Sequence, residues 1–431
     1  MIYARAIHFA ATIMAAGVVF FIVFVAEPTF RDIRVRAALL PQLSFIAWFS
    51  LVLAAGSGAV WLVLTAASMS GQPPADVFAG GVLWTVVSQT DFGLAWTARL
   101  ILACVFAGTL VPLLSAQRTK PWIGAVATIA AAAFTGALAW AGHAVGGQSV
   151  EAIVHPAADV LHLVATAAWL GALIPLALLL SALAGDSASV AIARMATRRF
   201  SILGLVSVGT LLVTGIINTW YLAGSIPALT GTTYGRLLMA KVALFFGMVA
   251  IAAVNRQRLT PRLADGASRS VAQNALHQLR RNALIETLAG AVIICIVAVL
   301  GTEPPAGHVH HQHPAYGALP ADAAFVHIHT EQGMADVTIT PGRSGRARAT
   351  IRLWNEDLEP LDAREVKFSV TPPAGGSKPA ARFAVQNADG AWHVGPIVLS
   401  QPGNWTVTVD VALSPTNRVV FSAPIVIEPG Q

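Results

Sequence analysis

The first 300 or so positions hold eight apolar runs, each about 20 residues long and broken only by isolated polar residues. A run of that length crosses a bilayer as a helix. The runs lie near 5–25, 43–66, 95–115, 121–141, 158–182, 200–222, 236–254 and 284–301. Beyond about residue 323 the pattern changes. ARATIRLW (347–354), EVKFSV (365–370) and NWTVTVDVAL (404–413) alternate apolar and polar residues at period two, with turn signals NADG (387–390) and QPGN (401–404) between strands. The patterning predicts an all-α polytopic membrane domain of eight transmembrane helices over 1–302. A linker at 303–322 follows, and then an all-β immunoglobulin-like sandwich of seven or so strands over 323–431.

The apolar runs repeat. RAIHFAATIMAAG (5–17) aligns with DVLHLVATAAWLG (159–171), placing His8 on His162, Thr12 on Thr166 and Gly17 on Gly171. LAAGSGAVWLV (53–63) aligns with LLVTGIINTWYL (211–222), pairing Gly56 with Gly215 and Trp61 with Trp220. TDFGLAWTAR (90–99) aligns with TTYGRLLMAK (232–241), pairing Gly93 with Gly235 and Arg99 with Lys241. Two four-helix repeats, about 1–147 and 155–302, both enter the membrane in the same sense, which predicts a pseudo-twofold along the membrane normal. Chance similarity among Ala-, Leu- and Gly-rich helices is the alternative.

Charge in the loops sets the orientation. Loops 26–42, 116–121, 183–199 and 255–283 carry Arg or Lys, whereas 67–94, 142–157 and 223–235 have no Lys or Arg at all. By the positive-inside rule the basic loops are cytoplasmic, and both termini with the tail lie outside. The first run is read as a retained helix rather than a signal peptide, because no small-residue cleavage site follows it. Composition agrees: 55% of residues are hydrophobic and 11% charged, with mean hydropathy +0.66, against about 25% charged in soluble domains. The net charge of +6 therefore belongs to topology-setting loops and not to nucleic-acid binding. Cys104 and Cys295, without a CxxC pattern, read as core thiols.

Within the membrane domain, polar residues gather at the outer side. His155, Asp159 and His162 share one helix face at i, i+4, i+7, with Pro156 suited to the first helical turn. His8 and His143 lie at the same level. Imidazole and carboxylate ligate Cu, Zn and Ni, and ionisable groups inside a bilayer mark pathways or sites; hydrogen-bonded interfacial residues are the alternative. Asp159 either ligates, orients His162 or caps its helix. Arg99 and Lys241 snorkel or pair with Asp91 or Asp159, Asn218 bonds across helices, and Trp84, Trp96, Trp140, Trp169, Trp220, Trp48 and Trp122 form interfacial belts. In the linker, His308, His310, His311 and His313 form a tract able to collect metal, or stand there incidentally. In FVHIHTEQGM (325–334), His327 and His329 are two apart on one strand, a candidate metal pair or a solvated face, with Met334 beyond; His393 is a weaker candidate.

The stretch from His155 to His162 followed by WLGAL, together with TTYGRLLMAKVALF (232–245), resembles the CopD/PcoD family of copper resistance membrane proteins, over roughly 1–302. The tail, with VHIHTEQGMADVTITPG and GNWTVTV, resembles the YtkA-like sandwich sometimes fused to CopD. The resemblance implies a bacterial inner-membrane protein of copper homeostasis, with copper ion, Cu(I) or Cu(II), as its cargo. It implies a periplasmic copper-binding protein of CopC type as partner, and His8, His143, Asp159 and His162 as the outer copper entrance. A Cu(I) conduit calls for Met or Cys along its length, yet Met14, Met239, Met248, Cys104 and Cys295 are scattered. Two rivals stay open: a membrane haem or redox protein using His8 and His162 as axial ligands, and a non-transporting copper sensor or scaffold. No Walker A, HExxH or GxSxG pattern occurs, so no enzyme is expected.

Overall fold

A computed structural model describes residues 1–27, 30, 32–70, 73–78, 81–115, 120–141, 151–183, 189–223, 226–264, 268–302, 320, 322–330, 333–355, 360–372, 381–387, 389–414 and 417–430. The chain divides into two compact units, 1–312 and 313–431. His143 and the linker histidines His308, His310, His311 and His313 lie outside the described residues, as does the side chain of His329.

In the first unit α1 (Ile2–Phe21) runs on through a π turn, Ile22–Ala26, and is followed by α2 (Ile33–Ser70), the short α3 (Val82–Gln89), α4 (Asp91–Leu113) and α5 (Pro121–Gly136). Then come α6 (Glu151–Trp169), a 3-10 turn at Leu170–Ala172, α7 (Leu173–Ala182) and α8 (Ser189–Ala223). The short α9 (Ile226–Gly231) precedes α10 (Thr233–Val254) and α11 (Arg269–Leu300). Among the described residues, eight helical stretches are long and apolar enough to cross a membrane, with α6 and α7 forming one of them. The spans agree with the sequence reading, but the helices outrun them. Arg34 and Arg36 lie on α2, Arg194, Arg198 and Arg199 on α8, and Arg269, Arg280 and Arg281 on α11, all expected in loops. Arg is a good helix former, and the helices continue past the membrane surface, α2 even through Pro41. α6 likewise begins at Glu151, so Pro156 lies inside it rather than in its first turn.

Helices α1, α5, α6/α7 and α11 make the centre. The most apolar stretch of α1 is 72% buried, that of α10 only 6%. At the centre α1 crosses the 3-10 turn through two glycines: a Cβ on Gly17 would overlap the Gly171 backbone, and a Cβ on Gly171 would overlap the carbonyl of Ile13. These are the two positions that the repeat alignment pairs. Equivalent positions that touch each other are what a twofold produces. The α-helix breaks at Leu170–Ala172 at this crossing, which is why one expected span appears as α6 and α7.

Local capping recurs as well. Thr90 accepts a bond from the Gly93 amide at the start of α4 (3.0 Å), and Thr232 accepts one from the Gly235 amide at the start of α10 (2.9 Å). Cys104 and Cys295 are free and exposed, so they face away from the bundle rather than into its core. Trp84, Trp122 and Trp220 are exposed as belt residues should be, but Trp61 and Trp169 are buried.

The second unit is a β-sandwich. Its strands are β1 (Ala324–Thr330), β2 (Gly333–Thr340), β3 (Gly345–Trp354), β4 (Glu365–Thr371), β5 (Arg382–Phe383), β6 (Val385–Gln386), β7 (Trp392–Leu399), β8 (Gly403–Ala412) and β9 (Arg418–Ile427). They form two antiparallel sheets in the orders β1-β2-β3-β7-β6 and β5-β4-β8-β9. Period-two alternation sends Val337, Ile351, Val407, Val409 and Phe421 into the core between the sheets. Gly390 in the NADG turn has φ +77°, a conformation that glycine adopts without strain.

Candidate metal-handling site

The polar residues of the membrane unit form two clusters, one in each half, near the N-terminal ends of α1, α4, α6 and α10. In the first, His8 of α1 is only 2% exposed. Its Nδ1 lies 2.8 Å from the carbonyl oxygen of Ala54 on α2. A carbonyl only accepts, so Nδ1 carries the proton and Nε2 the lone pair. That lone pair accepts a bond from Nη2 of Arg99 on α4 at 2.8 Å, while Nη1 of Arg99 donates to the Phe134 carbonyl on α5 at 3.1 Å. The rings of Trp61 and Trp96 close over the imidazole, at centroid distances of 5.7 and 5.2 Å. Gly58 permits this approach, since a Cβ there would meet the Trp96 ring at 2.7 Å and His8 Cε1 at 3.1 Å. Arg5 stacks on Trp61, 5.0 Å from the ring centroid, and donates to the Gly301 carbonyl beyond the end of α11. Four helices thus converge on a histidine whose two nitrogens are both engaged. Ligation of a metal at Nε2 requires Arg99 to withdraw.

The second cluster has the same scaffold and different chemistry. His162 Nδ1 lies 2.9 Å from Thr214 Oγ1 on α8, and Thr214 donates its own proton to the Thr210 carbonyl at 2.7 Å. His162 Nδ1–H is therefore the donor, and the lone pair sits on Nε2, which makes no hydrogen bond among the described residues. Asn218 Nδ2 donates to Asp159 Oδ1 at 2.6 Å, the cross-helix bond expected of Asn218. Asp159 Oδ2 lies 3.8 Å from His155 Nε2. Lys241 and Tyr234 on α10 lie within the electrostatic reach of Asp159, and Lys241 within that of His162. Among the described residues no three His, Cys, Asp or Glu side chains stand close enough together to enclose a metal ion.

The contacts correct the repeat alignment on its second helix. His8 Cε1 faces Gly58, and His162 Cε1 faces Gly215, at 3.9 Å from a Cβ built there. Ser57 lies beside His8 Nδ1 where Thr214 lies beside His162 Nδ1. Gly58, not Gly56, is therefore the counterpart of Gly215, and Trp61 corresponds to Asn218 rather than to Trp220. Since Arg5 aligns with Asp159, a cation stacked on an indole in the first half is replaced by a carboxylate bonded to an amide in the second.

Similarity to known proteins bears on this geometry. Residues 1–153 match the family described as Copper resistance protein D-like, N-terminal domain, and residues 194–300 match Copper resistance protein D. The chain is 30% identical over 279 residues to Copper resistance protein D of Pseudomonas syringae pv. tomato, covering 62% of this chain and 84% of that one. The chain belongs to the copper resistance protein D family. The inner membrane protein YebZ of Escherichia coli K12 is 31% identical over 301 residues, covering 70% of this chain and 97% of its own length. The copper transport protein CutJ of Bacillus subtilis 168 is 24% identical over 344 residues, 78% of this chain and 58% of that protein. Both family matches fall in the helical unit. For this copper resistance protein D relative, the ligand chemistry fits: imidazole nitrogen suits copper, and His162 presents one with its lone pair uncommitted. A haem held between His8 and His162 fits poorly, because the axial lone pair of His8 is already bound to Arg99.

In the sandwich of this family member, His327 on β1 stands opposite Asp336 on β2, with Nδ1 and Oδ1 2.5 Å apart. Asp336 in turn faces Arg352 on β3. The carboxylate fixes the His327 ring, and the side chain is half exposed, as in a histidine oriented by a carboxylate for ligation. His329 stands opposite Met334 in the same register. His393 on β7 lies at the far side of the sheet, with Nδ1 3.3 Å from Thr350 Oγ1 and Nε2 3.5 Å from Asp389 Oδ2. The Ala391 amide holds the Asp389 carboxyl below the usual carboxylate range. Sequence reasoning passed over Thr214 and Tyr234 because a hydroxyl among apolar residues carries no spacing signal of its own.

Proposed function

We propose that the chain is a copper permease of the inner membrane, without enzymatic activity, that moves copper from the periplasm across the bilayer. The observation that carries this reading is the uncommitted Nε2 of His162, on the same helix as the His155–Asp159 pair and about one turn along from Asp159, inside a helical unit of a copper resistance family. The orientation follows from charge: the two clusters sit at the end of the bundle opposite Arg34, Arg36, Arg198, Arg199, Arg256 and Arg258, so the positive-inside rule directs them and both termini to the periplasm. His327, His329 and the linker histidines His308, His310, His311 and His313 gather copper there, and a periplasmic copper-binding protein of CopC type delivers it. Copper then reaches His162 by way of His143, His155 and Asp159, passed from one to the next. The family names of the relatives support copper as the cargo; the ligands alone suit zinc equally.

The test is copper uptake by vesicles reconstituted with the full chain. Wild-type protein is expected to take up copper, and His162→Ala to lose at least ten-fold of that rate. Copper binding without uptake would replace the permease by a sensor or scaffold.

A further inference from the structure

The helical unit buries a second ionisable group, at the arginine end and away from the histidines. Glu286 on α11 is 1% exposed. Its Oε1 accepts a bond from Asn255 Nδ2 at 3.0 Å, and Asn255 Oδ1 accepts one from Asn282 Nδ2 at 2.7 Å. Its Oε2 is buried with no hydrogen-bond partner among the described residues. Among those residues it makes no ion pair either.

No cation on the elements packed against α11 is placed to neutralise it. α7 has no titratable side chain. Among the described residues, α1 brings Tyr3, Arg5 and His8, and α10 brings Tyr234, Arg236 and Lys241, all in the N-terminal halves of their helices at the opposite end. Arg256 donates to Ser201, while Arg258 and Arg262 in the segment after α10 are exposed. Arg269, His277, Arg280 and Arg281 on α11 itself are exposed too. A buried carboxyl oxygen with neither hydrogen-bond partner nor countercharge is costly to leave in place. Asn255 also opens a π turn, Asn255–Leu259, a rare widened turn found often at functional sites. Thr260 Oγ1 donates to the Asn255 carbonyl at 2.8 Å, which ties that turn to the same cluster.

We propose that Glu286 is a proton-exchange site: it holds a proton on Oε2 and releases it to water at the arginine end as copper passes, so that a departing proton offsets the incoming charge. The carboxylic acid becomes a carboxylate, one proton leaves, and copper keeps its oxidation state. Asn255 and Asn282 position the carboxyl. This rests on the permease reading; Glu286 regains its proton from the histidine end once copper has left, so each turnover carries one proton inward with the copper and the proton gradient does the work.

The test is infrared spectroscopy of the purified full chain, subtracting Glu286→Gln from wild type. Glu286→Gln keeps the acceptor for Asn255 and leaves no titratable proton. A protonated-carboxyl C=O band is expected at neutral pH, absent from the variant, and lost from wild type when copper is added. No such band, or a band unmoved by copper, overturns the proposal. Asn255→Leu is the second variant, and is expected to shift the band without abolishing it. In vesicles with a trapped pH dye, copper uptake by wild type should move protons, and uptake by Glu286→Gln should not; equal proton movement by both also overturns it. Wild-type vesicles that take up no copper defeat the permease reading instead, and the band's response to copper binding still decides whether Glu286 exchanges its proton.

Discussion

Two histidines at matching positions do different work because of what their second nitrogen meets. His8 donates to a carbonyl and accepts from a guanidinium, so it is a strut; His162 donates to a threonine and keeps its lone pair. His8→Ala strips Arg99 of a buried acceptor, which costs about 1–3 kcal/mol, and should lower the thermal unfolding temperature of the detergent-solubilised protein while leaving copper bound. His162→Ala should do the reverse, losing stoichiometric copper with little change in melting. Equal effects of the two variants on copper content would make both histidines ligands. In the sandwich, Asp336→Ala frees the His327 ring and should weaken copper binding about 10–100-fold by titration calorimetry. Both membrane histidines were legible in the sequence, since ionisable groups stand out in an apolar run. Their difference was not. It depends on Arg99 bonding the second nitrogen of His8 where, among the described residues, Lys241 makes no such bond to His162, and a sequence that pairs Arg99 with Lys241 does not say which of them reaches its histidine. Glu286 fell inside an expected span as a single carboxylate and was legible in principle; its partner Asn255 lies 31 residues away along the chain.

At the level of elements, α1 meets the 3-10 turn through two residues without side chains. Gly17→Val drives a branched side chain into the Gly171 backbone, which cannot yield as a flexible side chain does. Overpacking of this kind costs about 1–3 kcal/mol or more, and the variant should express poorly or melt early in a fluorescence-detected thermal shift. Gly56→Val, with open space around its Cβ, should be neutral in the same assay. Element type was readable for the eight spans and the long strands, but not for the short α3 and α9, which lie in stretches read as loops. Element length was not, because hydropathy reports where the bilayer is and says nothing of how far a helix continues into water. Thirty-eight residues of α2 show the difference, since about 20 suffice to span.

For the whole molecule, the chain divides into two units near where apolar runs give way to alternation, and loop charge is the argument for which face is cytoplasmic. With Cys104 and Cys295 replaced by Ala, a membrane-impermeant thiol reagent should label Gly430→Cys in intact spheroplasts, and label Arg258→Cys only after the membrane is opened. Labelling of Arg258→Cys in intact spheroplasts would invert the topology. The glycine crossing has a consequence for how the two halves move. Gly17 and Gly171 touch on backbone alone, so no interdigitated side chains need to disengage for one half to turn against the other there. A joint of that kind resists being pulled apart or slid, and yields most readily to rotation. Turning there would still have to break the bond from Arg5 in the first cluster to the Gly301 carbonyl of the second half, so the glycines bring the halves together and Arg5 holds them at one angle.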